Sequence, residues 1–318
     1  MGFLGDLPSY PRVDFKVVAG QNTDVTIVAE PAPARFPRTE KVHMSEPLIR
    51  DVSDTARWAA WCRGTEGDRA DALFHDPLAR VLAGERGAAI EATMGGSTVA
   101  SLVTRTVSFD RLLLERLAEG GIDTVLNLAA GLDTRPYRLD LPAALRWIEA
   151  DLPGLVAYKE EVLASERPRC HVERHPVDLS QPDARRALLA HVGEASNGVL
   201  VLTEALLLYL EADVVAELAR DLAAVPAIRT WLTDLLHPAL LPIVLQRWQG
   251  LGADAGSRPR FAPEGGPAWF EPMGWALRHQ LSAREEGERL NRPIGPPLPE
   301  AQREAARWMN TYVRLDRT

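Results

Sequence analysis

The sequence predicts a doubly wound α/β fold, with helices packed on both faces of a mainly parallel sheet. Three observations carry this expectation. From residue 124 onward short apolar runs alternate with longer stretches of helical spacing, the first run empties into a small-residue loop, and acidic residues recur where successive runs end. Hydrophobic residues make up 46% of the 318 and charged residues 25%, so there is apolar material for one large core.

Residues 1–45 stand apart from the rest. A short alternating run, Asp24-Val25-Thr26-Ile27-Val28, is followed by a proline cluster at Pro31, Pro33 and Pro37. Such a segment packs little core, so it is expected to be an N-terminal extension, weakly structured or a lid, with one domain over residues 46–318. From about Glu46 the spacing is helical, and Asp76-Pro77 marks a turn between two helices. Leu102, Val103, Val107, Leu113, Leu114 and Leu117 then recur at helical spacing until Gly120-Gly121 supplies a stop.

At Thr124 the period changes. The run from Thr124 to Leu128 has the profile of a buried parallel strand feeding a tight turn. Strands over 146–151, 172–177, 199–203 and 228–233 are expected to alternate with helices over 155–165, 183–192 and 213–224. After Asp234 glycine and proline become frequent. Residues 258–267 read as a loop or lid edge, and 308–315 as a closing strand.

Several function classes are disfavoured. With 36 basic against 44 acidic residues the net charge is -8, which leaves no broad basic surface for nucleic acid or an anionic membrane. Two cysteines, Cys62 and Cys170, are too few for a disulfide framework and suit a reducing compartment. The first residues lack the basic and apolar regions of a secretory signal, and the longest apolar stretch, Ala205 to Leu210, is far too short to span a bilayer. A soluble, cytoplasmic protein is expected. Cys170 to His175 contains metal-ligand residue types, but a strand turns neighbouring side chains to opposite faces, so no metal is expected there. No Gly-x-Ser-x-Gly pattern anchors hydrolase chemistry.

The candidate site gathers where the strands end. In Leu128-Ala129-Ala130-Gly131-Leu132-Asp133 small residues let the backbone turn sharply and approach a ligand, although ordinary turn chemistry has the same composition. Gly-x-Gly-x-x-Gly is absent, which disfavours a pyrophosphate ligand. Asp151 lies 20 residues past Gly131, a suitable place to accept hydrogen bonds from ribose hydroxyls; capping the helix at Leu152-Pro153 is its other reading. Glu149 shares its strand face. Asp178-Leu179 and Glu204 end the next two strands, and a converging acidic rim suits a ligand bearing sulfonium and ammonium groups. Arg135 and Arg138 offer either a guanidinium fork for an acceptor carboxylate or internal pairs with Asp133 or Asp140. Tyr209, one turn past Glu204, reads as acceptor-pocket lining or as core.

Val125-Leu126-Asn127-Leu128-Ala129-Ala130-Gly131-Leu132-Asp133-Thr134-Arg135-Pro136-Tyr137-Arg138-Leu139 resembles the signature loop of the leucine carboxyl methyltransferase family. Trp147 to Pro153, Thr104-Arg105-Thr106, Asp76-Pro77, Leu202 to Leu210 and Gly274-Trp275 extend the resemblance from about residue 50 to the end. It implies a Rossmann-like class I methyltransferase sheet and S-adenosylmethionine as cofactor. By the same resemblance Arg105 binds the methionine carboxylate, Ala129 and Gly131 the methionyl backbone, Asp151 the ribose, Asp178 and Leu179 the adenine, and Glu204 the amino group. Ala129 departs from the glycine that members often carry. Arg135 and Tyr209 are the candidate catalytic residues. The implied activity is O-methylation of a small-molecule or peptide carboxylic acid in bacterial secondary metabolism. A phenol acceptor or an NAD-type oxidoreductase are the alternatives, and the oligomeric state is not legible.

Overall fold

The computed structural model describes residues 15–19, 25–29, 52–94, 98–250 and 258–318. Most of the expected N-terminal extension, and its boundary near residue 45, lie outside the described residues. Within it Phe15–Ala19 (β1) pairs antiparallel with Val25–Ala29 (β2), the second of which covers the alternating run.

The main sheet has seven strands: Thr124–Leu128 (β3), Arg146–Asp151 (β4), His171–Pro176 (β5), Val199–Thr203 (β6), Ile228–Leu236 (β7), Trp275–Ser282 (β8) and Asn310–Arg317 (β9). Their order is β5-β4-β3-β6-β7-β9-β8. The first five of that order run parallel, while β9 pairs antiparallel with both β7 and β8. The strand order reverses at β3, which has β4 on one side and β6 on the other. Crevices for ligands open at such a point, beyond the carboxyl ends of the strands.

Alternation along each strand builds two cores. On one face Leu126, Ile148, Val201 and Trp231 pack under Pro182–Glu194 (α6) and Ala212–Ala223 (α7). On the other, Val125, Trp147, Leu200 and Leu232 pack under Phe109, Leu112 and Leu113 of Val99–Ala118 (α3). Every residue of β3 and β6 is buried, which is why these segments read as unbroken apolar runs. Val52–Glu66 (α1) and Pro77–Met94 (α2) pack together ahead of the sheet. Short Arg135–Arg138 (α4) and Pro153–Val162 (α5) follow β3 and β4. Leu241–Gly250 (α8), Ala283–Arg289 (α9) and Glu300–Arg307 (α10) complete the described α-helices.

The strands expected at 146–151 and 199–203 form with those bounds, and the helices shift by one to three residues at their ends. Three differences have physical causes. β7 continues past Thr233 to Leu236, because β9 pairs with its extension as far as Leu236–Asn310. β8 was not expected: as the outer strand it exposes Ala276 to His279 and lacks an apolar pattern. α10 buries none of its residues, so its polar sequence signals no core face. Among the described residues no helix is long and apolar enough to cross a membrane.

Glycine at the entry to β6 is a steric requirement. A Cβ on Gly198 would lie 1.9 Å from the backbone oxygen of Gly121, and that backbone cannot yield because Asp123 and Thr124 both donate their N–H groups to Gly198 O. A Cβ on Gly154, in the first turn of α5, would meet nothing within 4 Å. Gly198→Ala is therefore expected to lose roughly 1–3 kcal/mol in urea unfolding. Gly154→Ala should be neutral or stabilising by up to about 1 kcal/mol. Equal midpoints for the two variants would contradict this reading.

Candidate cofactor and acceptor site

A cavity of about 570 Å³ opens at the carboxyl ends of the central strands. The chain turns into it directly from β3. Ala129 and Gly131 both adopt left-handed backbone, with φ of 52° and 53°. Glycine takes this conformation freely, whereas alanine carries strain of about 1–2 kcal/mol. This gives a physical sense to the glycine that the family often has at the first position. The turn is held from β4, since Asp151 Oδ2 accepts a hydrogen bond from the Gly131 N–H at 2.6 Å. Its Oδ1 accepts from the Leu152 N–H at 2.7 Å.

Beside the loop lies a network of buried charges. Arg135 is 4% exposed and has all three guanidinium nitrogens engaged: Nε with Asp110 at 2.7 Å, Nη1 with Asp133 at 2.8 Å, and Nη2 with Glu204 at 2.7 Å. Glu204 also accepts from Arg105 Nε at 2.9 Å, and Arg105 Nη1 lies 3.7 Å from Asp234. Arg138 chelates Asp110 through both terminal nitrogens and approaches Asp76 at 3.6 Å. Asp76 caps α2 by accepting the Ala79 N–H, and it also takes bonds from Thr134 and Arg63.

The charges respond to this setting in different ways. Burial alone would raise the Glu204 and Asp133 carboxyls, but the neighbouring guanidinium groups outweigh it and hold both below the usual range. Asp151 and Asp234 are pushed up by burial, only partly offset by backbone N–H donors and nearby cations. Burial pushes the Tyr209 phenol up to about 12, so it keeps its proton at neutral pH.

The cavity brings together nearly all the residues marked in the sequence. Arg105, Ala129, Gly131, Asp151, Asp178, Leu179, Glu204 and Tyr209 all line it. Arg135 lines it too, but of the two roles open to it the structure shows the internal pair: with Asp133, Asp110 and Glu204 on its nitrogens, no fork is presented to an acceptor. Arg138 is likewise committed to Asp110, not to Asp140. Glu149 does not reach the cavity and instead pairs with Lys159 at 2.8 Å and Arg174 at 2.9 Å. The loop over residues 258–267 contributes Phe261, which is buried against the core.

Residues 56–223 match the leucine carboxyl methyltransferase family. The chain belongs to that family. It is an S-adenosylmethionine-dependent methyltransferase, and the nicotinamide-dinucleotide alternative is thereby set aside. A relative from Parafrankia sp. (strain EAN1pec), named for S-adenosyl-L-methionine-dependent methyl transfer, is 34% identical over 79% of this chain and 84% of its own. Another of like name from Frankia alni is 30% identical over 78% of this chain and 91% of its own. The fold is shared with a solved Thermobifida fusca protein described as a methyltransferase (TM-score 0.53, 16% identity, 87% of this chain and 97% of that one). It is also shared with a DUF574 family protein from Streptomyces avermitilis (TM-score 0.54, 13% identity, 83% and 97%).

The lining fits the family's cofactor. A carboxylate offers about four acceptor positions, and the two backbone bonds leave Asp151 capacity for a ribose diol. Burial raises its pKa, and the donors of such a diol would favour its charged form. Arg63, Arg105, Arg135 and Arg138 stand against Asp76, Asp110, Asp133, Glu204 and Asp234, one more acid than guanidinium group. That surplus favours a cationic ligand.

Some of the site escaped sequence reading. Asp234 directly follows the strand expected over 228–233, as Asp178 and Glu204 follow theirs, so the strand-end rule already reaches it, although β7 itself runs on to Leu236. Asp110 lies inside α3, where nothing distinguishes it from a solvated helix residue. Trp58 and Trp248, with ring centroids 6.2 Å apart, line the cavity from α1 and α8 and carry only a core signal in sequence.

Asp151→Ala is expected to weaken S-adenosylhomocysteine binding by about 1.5–3 kcal/mol in calorimetry. Ribose donors favour the charged carboxylate, so wild-type affinity should be full above the raised Asp151 pKa and fall as pH drops through it, and Asp151→Ala should flatten that dependence. Arg135→Ala should act on stability, costing roughly 3–5 kcal/mol because three carboxylates lose a buried partner. A stable Arg135→Ala protein defective only in acceptor KM would restore the acceptor-fork role.

Proposed function

We propose that this enzyme transfers the methyl group of S-adenosylmethionine to a carboxylate oxygen of a small-molecule or peptide acid. The observation that carries the reading is that the described lining offers no nitrogen base, while the Asp234 carboxyl stands 3.7 Å from the Arg105 guanidinium. The lining includes no histidine or lysine, Glu204 and Asp133 are tied to arginines, and Tyr209 keeps its proton. A carboxylic acid, titrating at about 4, is already ionised at neutral pH and needs no base.

In this reading Asp151, Asp178, Leu179 and the Ala129–Gly131 turn hold the nucleoside and methionyl parts, and Arg105 with Glu204 holds the amino-acid end. When bound, S-adenosylmethionine supplies a methyl group activated on a positively charged sulfur. Trp58, Leu102, Leu208, Trp248 and Phe261 provide an apolar wall that excludes water, which favours a reaction in which opposite charges disappear. Tyr209, in hydrogen-bond contact with Thr55, is placed to orient an acceptor oxygen by donation. Catalysis then rests on positioning. A cytoplasmic setting goes with the reading, supported by two unpaired, buried cysteines.

Asp234 favours a second reading. Its carboxyl is raised by burial and faces the cavity, the property wanted of a general base for a phenol. The two readings part on pH and product. For a carboxylate acceptor, single-turnover rates at saturating cofactor should be flat from about pH 6 to 8, and the product an ester cleaved by mild alkali. Rates that climb with pH through the Asp234 titration, are lost in Asp234→Asn and yield an alkali-stable ether would establish phenol methylation instead.

A further inference from the structure

The outer strand of the sheet carries a second cluster of chemistry-bearing side chains, away from the cavity. In β5 the neighbours of the Cys170 to His175 segment do alternate, but Glu173 and His175 are two residues apart and share a face. α6 crosses that face and brings His191 to them. One ligand atom from each of the three residues lies within 4.8 Å of the other two. Glu173 Oε2 is 3.8 Å from His175 Nε2, and the two imidazole centroids are 5.7 Å apart.

The surroundings leave this set able to bind. Arg146, from β4, engages Glu173 through Oε1 alone, at 3.2 and 3.0 Å, and His171 Nδ1 lies 3.4 Å from the same oxygen. Oε2 therefore faces His175. His191 is exposed on the helix, and Glu173 and His175 are half-buried. Zinc bound at about 2.0–2.1 Å in a tetrahedral site holds its ligand atoms about 3.4 Å apart. Side-chain rotation of about 1–1.5 Å closes that gap without moving the backbone.

We propose that Glu173, His175 and His191 form a three-ligand site for a divalent transition cation such as zinc, with water in the remaining position. Two imidazoles and one carboxylate are a ligand set suited to zinc, nickel, copper or cobalt and poorly suited to magnesium or calcium. None of its residues lines the cavity, but β5 and α6 are joined through residues 177–181, and Val177, Asp178, Leu179 and Ser180 of that connection do. A cation clasping strand and helix ties together the two elements that flank the segment proposed to hold the adenine.

The test uses the untagged full chain, stripped with chelator and titrated with zinc chloride by calorimetry, then loaded with cobalt(II) for its visible spectrum. One ion per chain, a tetrahedral cobalt spectrum and a zinc-dependent rise in melting midpoint are expected. His191→Ala should weaken zinc binding at least tenfold and abolish both the midpoint rise and the spectrum, while its metal-free midpoint stays that of wild type because His191 is exposed. Glu173→Gln should also weaken binding, and His237→Ala, on a distant turn, should not. Binding that is absent, or that survives His191→Ala and Glu173→Gln unchanged, would overturn the proposal. Loss of methyl transfer without loss of zinc binding would bear on the cofactor cavity and not on this site.

Discussion

The Arg135 guanidinium is the point through which the site is assembled. It sits on the short α4, directly after the β3 loop, and its three nitrogens reach one carboxylate from α3, one from the loop and one from the end of β6. These segments are distant in sequence and would repel one another without it. Burying so many charges is costly, and it is tolerated because the guanidinium groups of Arg105, Arg135 and Arg138 each meet their carboxylates in direct, largely desolvated hydrogen bonds. The network carries α1 and the cap of α2 along through Arg63, Asp76 and Thr134, so the helices ahead of the sheet are locked to the strand ends they cover.

The doubly wound sheet determines where this has to happen. Parallel strands deliver all their carboxyl ends to one rim, and the reversal of order at β3 leaves a crevice there. Asp151, Asp178, Glu204 and Asp234 all line that one rim. In the proposed reading, recognition of a sulfonium cofactor and stability of the strand ends follow from one arrangement. The opposite wall of the cavity is built differently, from apolar and aromatic residues of α1, α3, α8 and the turn at Leu207–Tyr209.

The legible part of the fold is the part ruled by periodicity. β3 and β6 are buried along their whole length and β4 along most of it, so their apolar runs mark them within a residue or two. β8 and α10 escape because an outer strand and an unburied helix have no apolar face to announce them. The residues proposed to hold the cofactor gather at one cavity because strand-end acids and a small-residue turn follow from backbone geometry. The partners of Arg135 were not, since nothing local distinguishes Asp110 on a helix from Asp140 two residues past Arg138. The Glu173, His175 and His191 cluster shows the same limit: alternation separates neighbours, but only the packing of α6 on β5 reveals which residue completes the set.

A crystal structure with S-adenosylhomocysteine tests most directly whether this rim is a cofactor site organised by Arg135. The expected result has both ribose hydroxyls on Asp151, adenine beside Asp178 and Leu179, and the amino-acid end between Arg105 and Glu204. The Arg135 bonds to Asp110, Asp133 and Glu204 should remain in place, and the sulfur should face the wall formed by Tyr209, Trp58 and Trp248. A ligand bound away from Asp151, or Arg135 released from its carboxylates to contact the ligand, would contradict it.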